Sequence, residues 1–283
     1  MANGAKVAIE AANRTVGKDI YLVGVDALEE TVNYVKEGTV TGTVLNDHVG
    51  QSHTAADQAI KMAFGEKVDT KYTVDYVKVA AAGKAAAAGD AAAKAVAAID
   101  PTTGGKDFTV GICIYKFDDN FMTLYREELQ KYLETTYNAK VTIVDGKGDQ
   151  AEQTNQIDNF ITQGVDVLIL NLVQASATET VANKCRDAKV PAVFINREPE
   201  EAEIKRWTDE KITASYVGAD ARQSGTFQGE IILETPNKGD INGDGTVLND
   251  HIAQSHMAAD VAAQMIAGKP IETKYTVDYV TVK

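Results

Sequence analysis

The side chains best suited to chemistry crowd into one stretch, Gly111 to Phe121, Gly-Ile-Cys-Ile-Tyr-Lys-Phe-Asp-Asp-Asn-Phe. Its first half continues an apolar run from Phe108 and reads as a buried strand. Its second half sets Asp118, Asp119 and Asn120 among the rings of Tyr115, Phe117 and Phe121. A buried strand that ends in polar and aromatic groups at its carboxyl end is where an open α/β sheet places a ligand. The plainer reading makes Asp119 only the N-cap of a helix over 121–135 and Phe121 only core.

The elements that must position these groups alternate along the chain. Strands are expected at 141–144, 167–171, 192–195 and 216–217, and helices at 152–162, 177–188, 200–207 and 222–233. Strands separated by helices imply crossovers and a mostly parallel sheet. The strands are continuous Val/Ile/Leu runs, as in a sheet covered on both faces.

Tyr115-Lys-Phe-Asp-Asp-Asn-Phe-Met122, Gln153-Thr-Asn-Gln-Ile-Asp158, Ile169-Leu-Asn-Leu-Val173, Val193-Phe-Ile-Asn-Arg-Glu-Pro199 and Tyr216-Val-Gly-Ala-Asp220 resemble bacterial galactose/glucose-binding proteins. Those proteins have the periplasmic-binding-protein fold. The resemblance spans most of residues 107–245. It implies an α/β lobe with a parallel doubly wound sheet, plus a truncated second α/β lobe.

Composition narrows the function classes. With 28 basic and 41 acidic residues the formal charge is −13, which argues against nucleic acid or an anionic membrane as partner. No apolar stretch reaches the roughly 18 residues of a membrane span. Met1 leads into an amphipathic helix start without a basic region or cleavage site, so no signal peptide is expected there. Cys113 falls in a strand and Cys185 in a helix, and both read as small buried thiols rather than a disulfide.

Residues 1–13 read as a helix, 20–25 as a strand, the stretch to 36 as a helix, and 72–79 as a strand, with a longer helix before Gly65. Met1-Ala-Asn-Gly-Ala5, Val23-Gly-Val-Asp-Ala-Leu28 and Gly42-Thr-Val-Leu-Asn-Asp47 again resemble the same family, but its C-terminal third. Here they come first, as in a circular permutation. Residues 80–106, rich in alanine and glycine, read as a solvated linker of engineered character. The segment 42–79 then recurs as 245–282 without a gap. In the family this segment crosses between lobes and packs a helix on the first, so two copies compete for one docking position. Covalent continuity favours the second copy. The expected organisation is therefore a partial second lobe with the first copy at 1–79, a linker at 80–106, and the first lobe with the second copy at 107–283.

By motif position the resemblance carries ligand contacts to Tyr115, Asp119, Phe121 and Asn171 on the first lobe, and to Asp26 on the second. Asn46 and Asn249 both match one crossover asparagine. Alternatives stand beside each: Tyr115 as packing, Asn171 as a strand-end hydrogen bonder, Asp26 as an N-cap at Ala27. The family's second stacking tryptophan and a histidine/aspartate/arginine set have no counterpart, because roughly half of the second lobe is missing. Asp240, Asn242 and Asp244, with Thr246 as a carbonyl donor, resemble the family's calcium loop and have the spacing of an oxygen cage. Leu248 and His251 stand where further oxygens are wanted, so weak calcium binding and a bare acidic turn are both open.

His48, His53, His251 and His256 form pairs five residues apart, a spacing that does not align side chains on one helix face, and they read as surface or interface groups. No nucleophile–base set and no phosphate-cradling glycine loop is present, and an enzyme is not expected. The resemblance implies hexose binding for an ABC importer, with the importer's membrane subunits as partners, in a periplasmic or extracellular setting. A scaffold that has lost sugar binding, or a homodimer exchanging the crossover segment, are the competing readings.

Overall fold

Val167-Leu-Ile-Leu170 and Ala192-Val-Phe-Ile195 contain nothing that belongs in water, and every one of these residues is buried. Such strands need cover on both faces. The computed structural model describes residues 2–80 and 108–241. Its elements begin with α1 (Ala2–Ala11), β1 (Val23–Val25), α2 (Glu29–Lys36), β2 (Gly42–Leu45), α3 (His48–Ala63), β3 (Lys71–Thr73) and β4 (Val77–Ala80). They continue with β5 (Thr109–Ile114), α4 (Asn120–Tyr137), β6 (Lys140–Asp145), α5 (Gln150–Gln163), β7 (Val167–Leu170) and α6 (Thr178–Ala188). The last are β8 (Ala192–Ile195), α7 (Glu201–Asp209), β9 (Ala214–Gly218) and α8 (Ala221–Leu233).

The described residues fall into two compact units, one of 47–74 with 108–219, the other of 2–46, 75–80 and 220–241. The first has six parallel strands in the order β3-β9-β8-β7-β5-β6. One face is closed by α3 and α4 through Ile60, Met62, Met122, Tyr125, Leu129 and Leu133. The other is closed by α5, α6 and α7 through Ile157, Phe160, Val181, Ile204 and Trp207. Gly111 has a steric reason: a Cβ there would lie 2.8 Å from Cγ of Phe160, so only glycine lets α5 sit this close to β5. Cys113 and Cys185 are both free and buried.

The second unit is a three-stranded sheet in which β2 pairs parallel with β1 and antiparallel with β4. α8 packs on it closely, since a Cβ on Gly42 would lie 2.8 Å from Cγ2 of Ile231. Lys78 ties β4 to α8 by ion pairs with Glu230 (2.7 Å) and Glu234 (2.9 Å).

Three expectations change here. The single strand at 72–79 is two strands in different sheets, because the stretch between them turns its N–H groups elsewhere. Val74 N donates to the Gly218 carbonyl and Tyr76 N to Oε1 of Gln223. The expected grouping of 1–79 divides in the same way: 47–74 belong with 108–219, and 220–241 with the N-terminal residues. Finally, the docking position given to the second copy is filled by the first. Ile60, 1% exposed, anchors α3 in the core, at a position where the second copy has Ala263. The second copy, Asn249 included, lies outside the described residues, as does the linker beyond Ala80.

Candidate functional site

In the six-stranded unit β6 lies on one side of β5 and β7 on the other, so the loops leaving β5 and β7 diverge. This is the topological switch point of an open α/β sheet, where a crevice forms at the carboxyl ends of the strands. The loop after β5 carries Tyr115 to Asp119. Asp119 caps α4, with Oδ1 accepting from Met122 N at 2.7 Å, while Oδ2 accepts from the Tyr115 hydroxyl at 2.9 Å. The carboxylate thus fixes the helix start and the tyrosine together. Burial, then the bond to Asp119, raise the pKa of the Tyr115 hydroxyl, which keeps it a neutral donor.

Arg197, from the loop after β8, lays its guanidinium over the Tyr115 ring, 4.0 Å from the centroid. Its Nη1 donates to the carbonyls of Leu172 (3.2 Å) and Val173. Behind these groups stands Gln153, fully buried, whose Nε2 donates to the Asn171 carbonyl (2.8 Å) and whose Oε1 accepts from Val173 N (2.9 Å). The loop after β7 is held from both sides. Neither Arg197 nor Gln153 was singled out from the sequence, although each lies in a motif that was. Their signal is a charged residue two positions after an apolar strand, and an amide on the inner face of a helix.

The structure gathers Tyr115, Asp119, Phe121 and Asn171 at this edge, with different exposures. Asn171 is wholly buried; its Nδ2 donates to the Ile195 carbonyl at 3.1 Å and its Oδ1 has no partner. Phe121 is 9% exposed and meets Tyr125 edge-on at 6.0 Å. A cavity of about 980 Å³, bordered by Val165, Lys189, Trp207 and Lys211, opens at the opposite, amino-terminal edge of the strands, away from these groups.

In the three-stranded unit, Asp26 and Asn46 sit at the carboxyl ends of β1 and β2. Asp26 does not cap the next helix: α2 starts at Glu29, its N-cap position is Leu28, and no side chain bonds there. Instead Asp26 and Ala27 hold φ of 74° and 43°, left-handed values that cost a residue with a Cβ. Burial first, then the nearby Asp26 and Asp220 carboxylates, raise the pKa of Tyr76, which places these three together.

Of the calcium-loop residues only Asp240 is described; Asn242, Asp244 and Thr246 lie outside. Among the described residues no group of three or more His, Cys, Asp or Glu gathers as a metal set. His48 and His53 both sit on α3. His53 stacks on Tyr132 with centroids 3.8 Å apart and bonds Glu128 at 2.9 Å.

Residues 110–241 match the family model described as a periplasmic binding protein domain. A curated relative, the D-galactose/methyl-galactoside binding periplasmic protein MglB of Haemophilus influenzae, is 34% identical over 144 residues, 50% of this chain and 42% of that protein. A putative rhizopine-binding protein of Rhizobium meliloti is 35% identical over 132 residues, 47% of this chain and 41% of that protein. A crystal structure from Mycobacterium smegmatis in complex with β-D-fucofuranose aligns at TM-score 0.41 and 21% identity, covering 50% of this chain and 42% of that one. The matched stretch lies largely in the six-stranded unit, whose α/β parallel sheet is a periplasmic-binding-protein-like fold. The chain spans about two fifths of the length of these relatives.

Proposed function

We propose that this chain binds a sugar of the galactose/glucose class, as the substrate-binding component of an ABC importer in the periplasm or outside the cell. The observation that carries this reading is the Tyr115–Asp119–Arg197 cluster at the switch point of a sheet whose sequence matches a family with a galactoside-binding relative. A carboxylate and a guanidinium pair with adjacent hydroxyls, and an aromatic face covers C–H groups. Each Asp119 oxygen has accepted one hydrogen bond and retains capacity for another.

A second reading has its own support. Asn171 and Phe121, two of the four contacts carried over to this edge, are buried, which favours a scaffold with little or no sugar binding. Calorimetric titration with galactose, glucose, ribose and myo-inositol separates the two. Saturable heat with galactose or glucose supports the first. Heat with ribose or inositol alone moves the sugar class, and none with any of the four leaves the scaffold.

A further inference from the structure

Polar groups as well as apolar ones fix α3 on its face of the six-stranded unit. Glu128 and the Tyr132 ring hold His53. The hydroxyls of Tyr132 and Tyr137 donate to Oδ1 of Asp57 at 3.1 and 2.5 Å. Asp47 caps the helix by accepting from Gly50 N at 2.9 Å. Ala55, Ala56, Ala59, Ile60 and Met62 enter the core, and Lys71, Tyr72 and Thr73 pair with β9.

The second copy repeats this set almost residue for residue. His256, Asp260 and Asp250 stand for the three polar partners, Ala258, Ala259, Ala262 and Met265 for the core, and Lys274-Tyr-Thr276 for the strand. Three buried positions depart: Gly50, Gln58 and Ile60, of which Gln58, whose Oε1 is buried without a partner, becomes Val261. Gly50 becomes Ala253, and a Cβ at Gly50 would lie 2.4 Å from Oδ2 of Asp47 and 3.2 Å from Cγ1 of Val74. The capping carboxylate would have to move. Ile60 becomes Ala263, which leaves the Ile60 volume unfilled in a close-packed core.

We propose that this face of the six-stranded unit is a docking surface for two segments of one chain, with residues 251–276 able to replace 48–73 as its weaker occupant. The polar partners, the strand residues and most of the core alanines and methionine are present in both segments. The Gly50 and Ile60 differences favour the first copy and the Gln58 difference the second; a crowded cap together with an unfilled core site outweighs one relieved oxygen, so ordering as well as exchange follows from named side chains.

Hydrogen exchange read by mass spectrometry on the full chain tests this, because peptides from 48–63 and 251–266 differ in mass. In the unaltered chain, protection of 48–63 should exceed that of 251–266 by about a hundredfold or more. Ile60→Asp should expose 48–63 and raise protection of 251–266 by about tenfold or more, while β5 to β9 stay protected. Ala253→Gly with Ala263→Ile, leaving the first copy intact, should bring the two segments within about tenfold of each other. The inference is overturned if 251–266 exchanges freely in both variants, or if Ile60→Asp strips protection from β5 to β9. It is equally overturned if the transfer occurs only with a doubled mass by light scattering, since the occupant would then come from another chain.

Discussion

Asp119 is asked to do two things, and two substitutions separate them. Asp119→Ala removes the oxygen that accepts from Met122 N and the one that accepts from the Tyr115 hydroxyl. Loss of a cap costs about 1 kcal/mol. Loss of a partly buried hydrogen bond to a charged acceptor adds about 1 kcal/mol after discounting for solvent. The sum, about 2 kcal/mol, corresponds to a fall in melting temperature of ~4–8 °C for a unit of this size. Asp119→Asn keeps one side-chain oxygen, and asparagine caps as well as aspartate, so its thermal loss should be about half of that or less. An amide cannot accept at both positions, however, so any galactose or glucose binding should weaken by roughly 1.5–3 kcal/mol in both variants. Differential scanning calorimetry and titration calorimetry on the same two proteins give both numbers. If Asp119→Asn binds sugar like the unaltered protein, the carboxylate is a cap and nothing more. If Asp119→Ala melts unchanged, the capping geometry is wrong.

Other tests reach further into the molecule. Tyr137→Phe removes a donor to Asp57 and should cost about 1–2 kcal/mol by urea denaturation, with the Tyr132 bond to the same oxygen preserved. Burial holds the pKa of His48 down, and its Nδ1 is buried without a partner. The unfolded chain therefore takes up this proton first: stability should fall as pH drops below about 6.5 and level off below the folded-state value. His48→Gln should flatten that slope. Burial pushes the Cys113 and Cys185 thiols up to about 12, so Ellman's reagent should label neither until denaturant is added. Calcium, if its loop binds at all, should raise the melting temperature only above ~10⁻⁴ M, because Leu248 and His251 replace oxygen donors; a strong shift at micromolar calcium would show that another carboxylate completes the cage.

What could be read from the chain was whatever is enforced locally. The runs over 109–114, 167–170 and 192–195 admit one environment, and Asp119 before an apolar periodic stretch is an N-cap signal. Arg197 was invisible as a site residue for a different reason. It reaches Tyr115 because β7 alone separates β8 from β5, and strand order is a property of the sheet that no window of sequence contains. Gln153 likewise matters only once α5 is laid beside the loop after β7. The split of 71–80 escaped because both halves have strand-like residues, and the break is made by distant acceptors, the Gly218 carbonyl and Gln223. Covalent continuity pointed to the second copy, whereas α3 of the first copy closes this face, a placement that no adjacency along the chain announces.

Lys71 pairs with Tyr216, so the edge of the six-stranded sheet joins residues made far apart in time. A ribosome adding 5–20 residues per second needs roughly 7–30 s to travel between them. Through that interval β9 is not yet complete, and β7 and β8 are synthesised only in its later part. Ala55, Ala56, Ala59, Ile60 and Met62, all buried in the finished protein, must wait in water or on a chaperone. The apolar face that later closes this unit is therefore exposed for most of that interval.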